Sequence, residues 1–369
     1  MGSRLRVGVL CGGRSAEHEV SLQSARSIVD AIDRDVYEVL VLGIDKQGGW
    51  HLLDPEGFLE HPEDPRRIRL KTGGARVVLA PGDKAGAIRE VETGRTAGEA
   101  DVVFPVLHGP YGEDGTVQGM LKMLRIPFVG SGVLGSAAAM DKEVTKRLLT
   151  QAGVPAARYM VLESASPRPG FEEVRDTLGI PCFVKPANLG SSVGVRCANA
   201  RGEFDDALEE AFSWDSKVLV EEFVEGREIE CSILGNQDPE ASVPGEIVTD
   251  RSRHLFYSYE AKYIDEEGAA LEIPAGLAPE VRERVRDIGV KAFLALGCEG
   301  MARVDFFVKR EGDVLVNELN TIPGFTKISM YPKLWEASGL PYPELIHRLI
   351  RLALDRHRRE EALRSSLSP

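Results

Sequence analysis

Ala302-Arg303-Val304-Asp305-Phe306-Phe307-Val308-Lys309-Arg310-Glu311-Gly312-Asp313-Val314-Leu315-Val316-Asn317-Glu318-Leu319-Asn320 is the stretch on which the fold turns. Two apolar-rich runs, 302–309 and 314–320, flank a Glu311-Gly312 pair suited to a hairpin turn. Strand side chains alternate faces, so Val304, Phe306 and Val308 point one way and Arg303, Asp305 and Phe307 the other. On the second run Val316, Glu318 and Asn320 share a face. A hairpin centred on Glu311-Gly312 sets Asp305 opposite Glu318 and Arg303 opposite Asn320. Two opposed carboxylates weaken such a pairing by up to about 1 kcal/mol unless a cation neutralises them. Oxygen ligands of this kind suit Mg²⁺, which binds through one or two carboxylates together with substrate phosphates. A solvent-screened strand face is the competing reading. Arg303 and Asn320, extending the polar face beside apolar neighbours, favour the metal.

Upstream, Val184-Lys185-Pro186-Ala187-Asn188-Leu189-Gly190-Ser191-Ser192-Val193-Gly194-Val195 is a strand that ends in Lys and enters a loop of small residues. Gly and Ser let backbone N–H groups approach phosphate oxygens closely, and Lys185 adds positive charge. No GxxxxGK[ST] occurs and the kinase signatures HRD and DFG are absent, so a strand-bounded phosphate flap fits better than a Walker loop. Val218–Val224, followed by Glu228, is an apolar strand whose end could offer backbone to an adenine edge and a carboxylate to ribose; read alone, a plain edge strand is the better reading. Near the N-terminus, Gly12-Gly13 through Glu17 follows the first apolar run. It lacks GxGxxG, which argues against NAD. Glu17 can bind an ammonium group there, and His108 ends a second strand, where ligands collect in open α/β sheets.

The 369 residues suffice for two or three domains, with ordinary shares of hydrophobic (43%) and charged (28%) residues. A net charge of −13 with scattered cations excludes nucleic acid and anionic membrane as main partners. Five dispersed cysteines without CxxC, no membrane-length run and no signal core place the chain in a reducing cytoplasm. Alternation of apolar runs (6–10, 37–42, 101–107) with a helical stripe after Ser21, its expected N-cap, predicts a parallel sheet with crossover helices. Residues 45–100 read as an elaborated connection and 135–152 as one helix entering a second domain. The 281–296 stripe predicts a helix stopped by Gly297, and the tail beyond about Arg356 reads as frayed.

Together these pieces resemble the ATP-grasp superfamily and, within it, the D-alanine–D-alanine ligase family. The resemblance runs from Val7 to about Leu349. Its markers are the Gly12-Gly13 to Glu17 loop, His108-Gly109 to Glu113-Asp114-Gly115-Thr116, Met140-Asp141-Lys142, and Lys185 to Gly194. Further on stand Glu260-Ala261-Lys262-Tyr263, Arg303-Val304-Asp305, and Asn317-Glu318-Leu319-Asn320 through Pro323-Gly324-Phe325 to Ser329-Met330-Tyr331.

The resemblance implies an α/β (α+β) three-domain ATP-grasp architecture: an N-terminal open parallel-sheet domain (1–137), a central subdomain with the flap (138–226) and a C-terminal subdomain (227–369). It implies that Lys142 and Lys185 contact ATP phosphates under a flap carrying Ser191 and Ser192. Glu221, Glu222 and the backbone of Phe223 and Val224 hold adenine, and Glu228 the ribose. Asp305, Glu318 and Asn320 bind two Mg²⁺ ions, for which Mn²⁺ can substitute; activation by K⁺ stays open. Glu17 takes the ammonium of the first D-alanine with His108 nearby, Arg303 and Gly324 stabilise an oxyanion, and Lys262, Ser329 and Met330 serve the second D-alanine. Tyr263 links Ser191 and Glu17, and the Tyr-rich loop 251–267 is the expected lid. A cytoplasmic homodimer making a peptidoglycan precursor follows by the same resemblance.

A D-lactate or D-serine ligase is the alternative within the class; Tyr263 in its Glu-Ala-Lys-Tyr setting tilts the choice to an amine acceptor. A nucleotide-binding regulator without turnover predicts a broken metal set, which this sequence does not have. Lys327, where relatives often carry an uncharged residue, reads as facing solvent.

Overall fold

The computed structural model describes residues 4–71, 73–249 and 269–364. The chain opens with β1 (Leu5–Gly12), α1 (His18–Ala31) and β2 (Tyr37–Ile44), and β1 pairs in parallel with both β2 and β9 (Val102–Val106). Buried, largely β-branched runs with a crossover helix give this arrangement, as the sequence predicts. The pattern-poor segment 45–100 is more ordered than its composition suggests. β3 (Trp50–Leu53), β6 (Ala75–Leu79), β7 (Ala87–Glu90) and β8 (Thr96–Glu99) extend the sheet antiparallel beyond β2, in the order β8-β7-β6-β3-β2-β1-β9. Strands of two to five residues carry too little alternation to be read from sequence.

A four-stranded antiparallel sheet follows, ordered β10-β13-β11-β12 and built from β10 (Tyr159–Glu163), β11 (Cys182–Pro186), β12 (Arg196–Ala198) and β13 (Lys217–Glu222). The apolar run 218–224 is therefore an interior strand, not an edge. α6 (Arg201–Trp214) covers the sheet, and Phe204, Ala207, Leu208 and Ala211 pack into its core. The third sheet centres on β14 (Arg227–Gly235), flanked by β16 (Gly245–Thr249) and β18 (Gly300–Val308), with β19 (Val314–Asn320) beyond.

The β18–β19 hairpin pairs Asp305 with Glu318 and Arg303 with Asn320 as predicted, but the register shifts between Asp305 and Phe306. Phe306 faces Val316, which leaves Asn317 as a bulge residue. Val316 consequently lies in the core with Val314 and Leu319 rather than sharing a face with Glu318. The helix expected over 135–152 is two: α3 (Val133–Met140) and α4 (Lys142–Gln151). Asp141 breaks them apart and caps α4, its carboxylate accepting from the N–H groups of Glu143 and Val144, both at 3.0 Å.

α7 (Pro279–Ala295) ends before Gly297, whose φ of +67° suits a stop. α8 (Met330–Ala337) and α9 (Tyr342–Glu361) close the described chain. The tail is not frayed at Arg356. That guanidinium is buried and donates to the carbonyls of Gly130 and Phe128.

The buried clusters are unequal. One core runs from β1, α1 and β9 through Met301, Ile322, Phe325 and Tyr331 to Leu345 and Ile350, so the first and last parts of the chain share it. The four-stranded sheet has a core of its own. Among the described residues no helix is long and apolar enough to cross a membrane.

Candidate active site

The four-stranded sheet and the third sheet meet at a cleft of about 310 Å³ whose lining includes Lys142, Lys185, Ser192, Glu221–Val224, Glu228, Glu230, Asp305 and Glu318. Four stretches that are distant in sequence thus meet there. The Asp141 cap aims Lys142 from the start of α4, and Lys142 Nζ lies 2.5 Å from the Leu189 carbonyl and 3.9 Å from Glu318 Oε2. The 187–195 loop rises between β11 and β12. Ser191 and Ser192 both hold positive φ, at +49° and +59°, a conformation non-glycine residues adopt at a cost. Ser191 Oγ donates to Glu17 Oε1, tying the loop to the N-terminal sheet.

Lys185 Nζ donates to Glu221 Oε2 at 2.8 Å, and Lys146 Nζ stands 3.3 Å from Oε1 of the same carboxylate. Burial pushes the Glu221 carboxyl up; the two lysines more than reverse this and hold it at about 2. Both oxygens are thereby committed, so the Glu221 side chain is not available to adenine. The Glu222 carboxylate is likewise engaged, by the Arg158 N–H at 2.8 Å and Nε at 2.6 Å. The Phe223 ring is exposed and lies near-parallel to Phe183, with centroids 6.2 Å apart.

Arg303 forks onto Asp305 through Nε and Nη2, both at 2.7 Å, and its Nε is 3.0 Å from Glu230 Oε2. Asn320 Nδ2 reaches Asp305 Oδ2 at 3.0 Å. The carboxylates of the hairpin are thus balanced by Arg303 and Lys142. Two carboxylates and an amide form an oxygen-rich but incomplete set, and among the described residues no cluster of three or more His, Cys, Asp or Glu is placed to hold a metal by itself. Such a set fits a hard divalent ion that arrives with phosphate oxygens.

Beside the cleft, Gly109 packs against Glu17. Its φ of +73° favours glycine, and a Cβ there would lie 2.6 Å from Glu17 Oε2, so a side chain would also displace the Glu17 carboxylate. His108 is buried just past the end of β9. Its Nδ1 donates to the Ile322 carbonyl at 2.9 Å and its Nε2 sits 3.3 Å from Ser24 Oγ, so both ring nitrogens face protein groups. Ser24 Oγ also accepts from the Phe325 N–H at 3.2 Å, and Glu113 accepts from Ile322 N–H at 3.0 Å and Gly109 N–H at 2.8 Å. His108, Ser24 and Glu113 therefore clasp the loop that carries Gly324. Burial and the Glu17 charge push the Glu113 carboxyl up to about 8.

Ser329 Oγ accepts from the Thr326 N–H at 3.1 Å and meets Thr326 Oγ1 at 2.8 Å. The Met330 side chain packs with Ile247 and Leu334, which leaves its backbone toward Ser329. Ser21, expected as a cap, lies inside α1 and bridges Gly12 N–H to the Val106 carbonyl. Lys327 is exposed, as read. Lys262, Tyr263 and the expected lid 251–267 lie outside the described residues. Reading the sequence named Glu113 only within a marker stretch, with no role, and missed Lys146, Glu230 and Ser24. Only Lys146 carried a signal, one helical turn beyond Lys142 on the same face.

Comparison with known proteins accounts for this assembly. The profile described as "D-ala D-ala ligase N-terminus" matches residues 6–131, and "D-ala D-ala ligase C-terminus" matches 148–351. The D-alanine–D-alanine ligase A of Escherichia coli K12 is 51% identical over 365 residues, spanning 99% of this chain and all of that one. The solved D-alanine–D-alanine ligase of Coxiella burnetii superposes with a TM-score of 0.86 at 41% identity, covering 98% of this chain and 97% of that one. The Bacillus anthracis ligase complexed with ATP gives 0.72 at 29% identity, covering 96% and 99%. Flap, paired lysines and carboxylate hairpin, matched along the whole length, have one explanation: the chain belongs to the D-alanine–D-alanine ligase family.

Proposed function

We propose that this chain uses ATP to join two D-alanines into D-alanyl-D-alanine, releasing ADP and phosphate, as a step in making a peptidoglycan precursor. The observation that carries the reading is the convergence of Lys142, Lys185, Asp305 and Glu318 on one cleft, with Glu17 held at its edge by Ser191.

A carboxylate is a poor electrophile, so the first D-alanine must be activated by phosphoryl transfer to an acyl phosphate. The amine of the second then attacks, and phosphate leaves from the tetrahedral intermediate. Lys142 and Lys185 hold the phosphates with Ser192 and the backbone of the 187–195 loop. The backbone of 222–224 reads adenine between Phe183 and Ile247, and Glu228 holds the ribose. Asp305, Glu318 and Asn320 would hold two Mg²⁺ ions, or Mn²⁺ in their place, which when bound neutralise phosphate charge. Glu17 receives the ammonium of the first D-alanine. Arg303 and the Gly324 N–H face the developing oxyanion, the latter positioned by the His108–Ser24–Glu113 clasp. Ser329 takes the second carboxylate, while the roles expected of Lys262, Tyr263 and 251–267 fall on residues outside those described. The division 1–137, 138–226 and 227–369, a cytoplasmic location and a homodimer belong to the same proposal.

ADP release by the purified protein with Mg·ATP tests the reading, comparing D-alanine, L-alanine, and D-alanine with D-lactate or D-serine, with products identified by mass. D-alanine-dependent ADP with the dipeptide as product supports it. Folded, ATP-binding protein that releases no ADP with D-alanine sinks it in favour of a regulator, and a mixed product reassigns the acceptor.

A further inference from the structure

Lys146 is among the most buried side chains in the molecule, 1% exposed, and none of the roles above uses it. It lies on α4 four residues after Lys142, the spacing that puts both on one helix face. Its ammonium stands 3.3 Å from Glu221 Oε1 and 5.6 Å from the centre of the Tyr159 ring, and makes no further hydrogen bond among the described residues. Glu221, 2% exposed, gives its other oxygen to Lys185. The three side chains form a row, Lys146–Glu221–Lys185, with two cations sharing one anion directly behind the cleft. A buried ammonium is expensive, and an apolar residue of the same volume commonly serves stability as well or better. Its presence under the nucleotide cleft is therefore poorly explained by folding.

We propose that Lys146 is a positioning residue for the triphosphate, an inference that rests on the nucleotide reading above. Competing for Glu221, it keeps the carboxylate from capturing Lys185 entirely, so Lys185 retains N–H donors for phosphate oxygens. It also leaves the row with one net positive charge, which burial protects from screening by salt. With Lys146 removed, Glu221 and Lys185 neutralise each other and the cleft loses both effects. Glu221 still has Lys185 as partner, so no buried charge is stranded and the variant retains its fold.

The test uses the full-length protein and calorimetric binding of ATP and of adenosine, without D-alanine. Lys146→Met is expected to raise the Kd for ATP about tenfold, the size of one weakened charged contact. Adenosine, which lacks phosphates, binds as to wild type, and KM for D-alanine in the ADP-release assay is unchanged. In a Glu221→Gln background the added Lys146→Met raises the Kd for ATP by clearly less than tenfold, because Lys146 acts through Glu221. Equal loss of ATP and adenosine, no loss of either, or independent effects in the double variant overturns the proposal. Should Lys146→Met not fold, Lys146→Gln, polar and of similar length, carries the same comparison. Wild type that binds no ATP overturns the nucleotide reading and this inference together. Wild type that binds ATP while the variant binds it equally well overturns the inference alone.

Discussion

The amino-acid side of the site and the nucleotide side are built differently. Gly324 and its neighbours sit on a core shared by the two ends of the chain, where Phe325 packs against Phe104, Tyr331 and Tyr342 with ring centroids 5.5–5.8 Å apart. The flap sits on a small sheet with a separate core, tied to the rest by polar contacts such as Ser191 to Glu17 and Lys217 to Asp141. Apolar burial resists opening more than exchangeable hydrogen bonds do. The difference suits a reaction in which small amino acids need fixed geometry while the nucleotide must enter and leave past a flap.

That contrast can be broken by substitution. The largest expected effect is from Phe325→Ala, about 3–5 kcal/mol off the unfolding free energy in a denaturant titration, with both ends of the chain losing structure in one transition. Phe204→Ala should cost a comparable amount locally but unprotect only the four-stranded sheet in hydrogen exchange. If it unprotects β1 and β18 equally, the two cores are not separate. Arg303→Met is expected to lower kcat by about 10²–10³ with little change in melting temperature; a variant near wild-type rate would remove Arg303 from the oxyanion role.

Glu113 offers a pH test of the clasp. Its folded value, about 8, lies above the ordinary 4.5, so its contribution to stability is complete below pH 4.5 and is lost as pH rises towards 8. Glu113→Gln should flatten that decline in melting curves taken across this window, and an unchanged slope would assign the decline elsewhere. The smallest effect is from Ser191→Ala: loss of one bond to a carboxylate should raise KM for D-alanine about tenfold and lower the unfolding free energy by no more than about 1.5 kcal/mol.

Much of this was legible in the sequence because the informative residues are local. Lys185 and the small residues after it, or Asp305 and Glu318 across one turn, announce themselves by spacing. The clasp does not: Ser24 in α1, His108 and Glu113 in the loop after β9, and Ile322 after β19 come from distant parts of the chain, and each alone is an ordinary polar or apolar residue. The surroundings of His108 and Met330 were illegible for the same reason, since a strand end or a motif position does not say which neighbours the side chain meets. The short strands between 50 and 99 were illegible because pairing, rather than periodicity, creates them.

The bulge at Asn317 has a further consequence. Counting outward from the turn without it, Asp305 would face Asn317, and Glu318 would fall in with the core residues. The cleft therefore depends on chain length as well as residue identity. Deleting Asn317 would leave Asp305 facing Glu318, whereas a single residue inserted between Val316 and Glu318 would turn Glu318 and Asn320 away from Asp305 at once, while every neighbouring side chain stayed chemically the same. Where a substitution removes one group, a frame slip of one residue would dismantle the set.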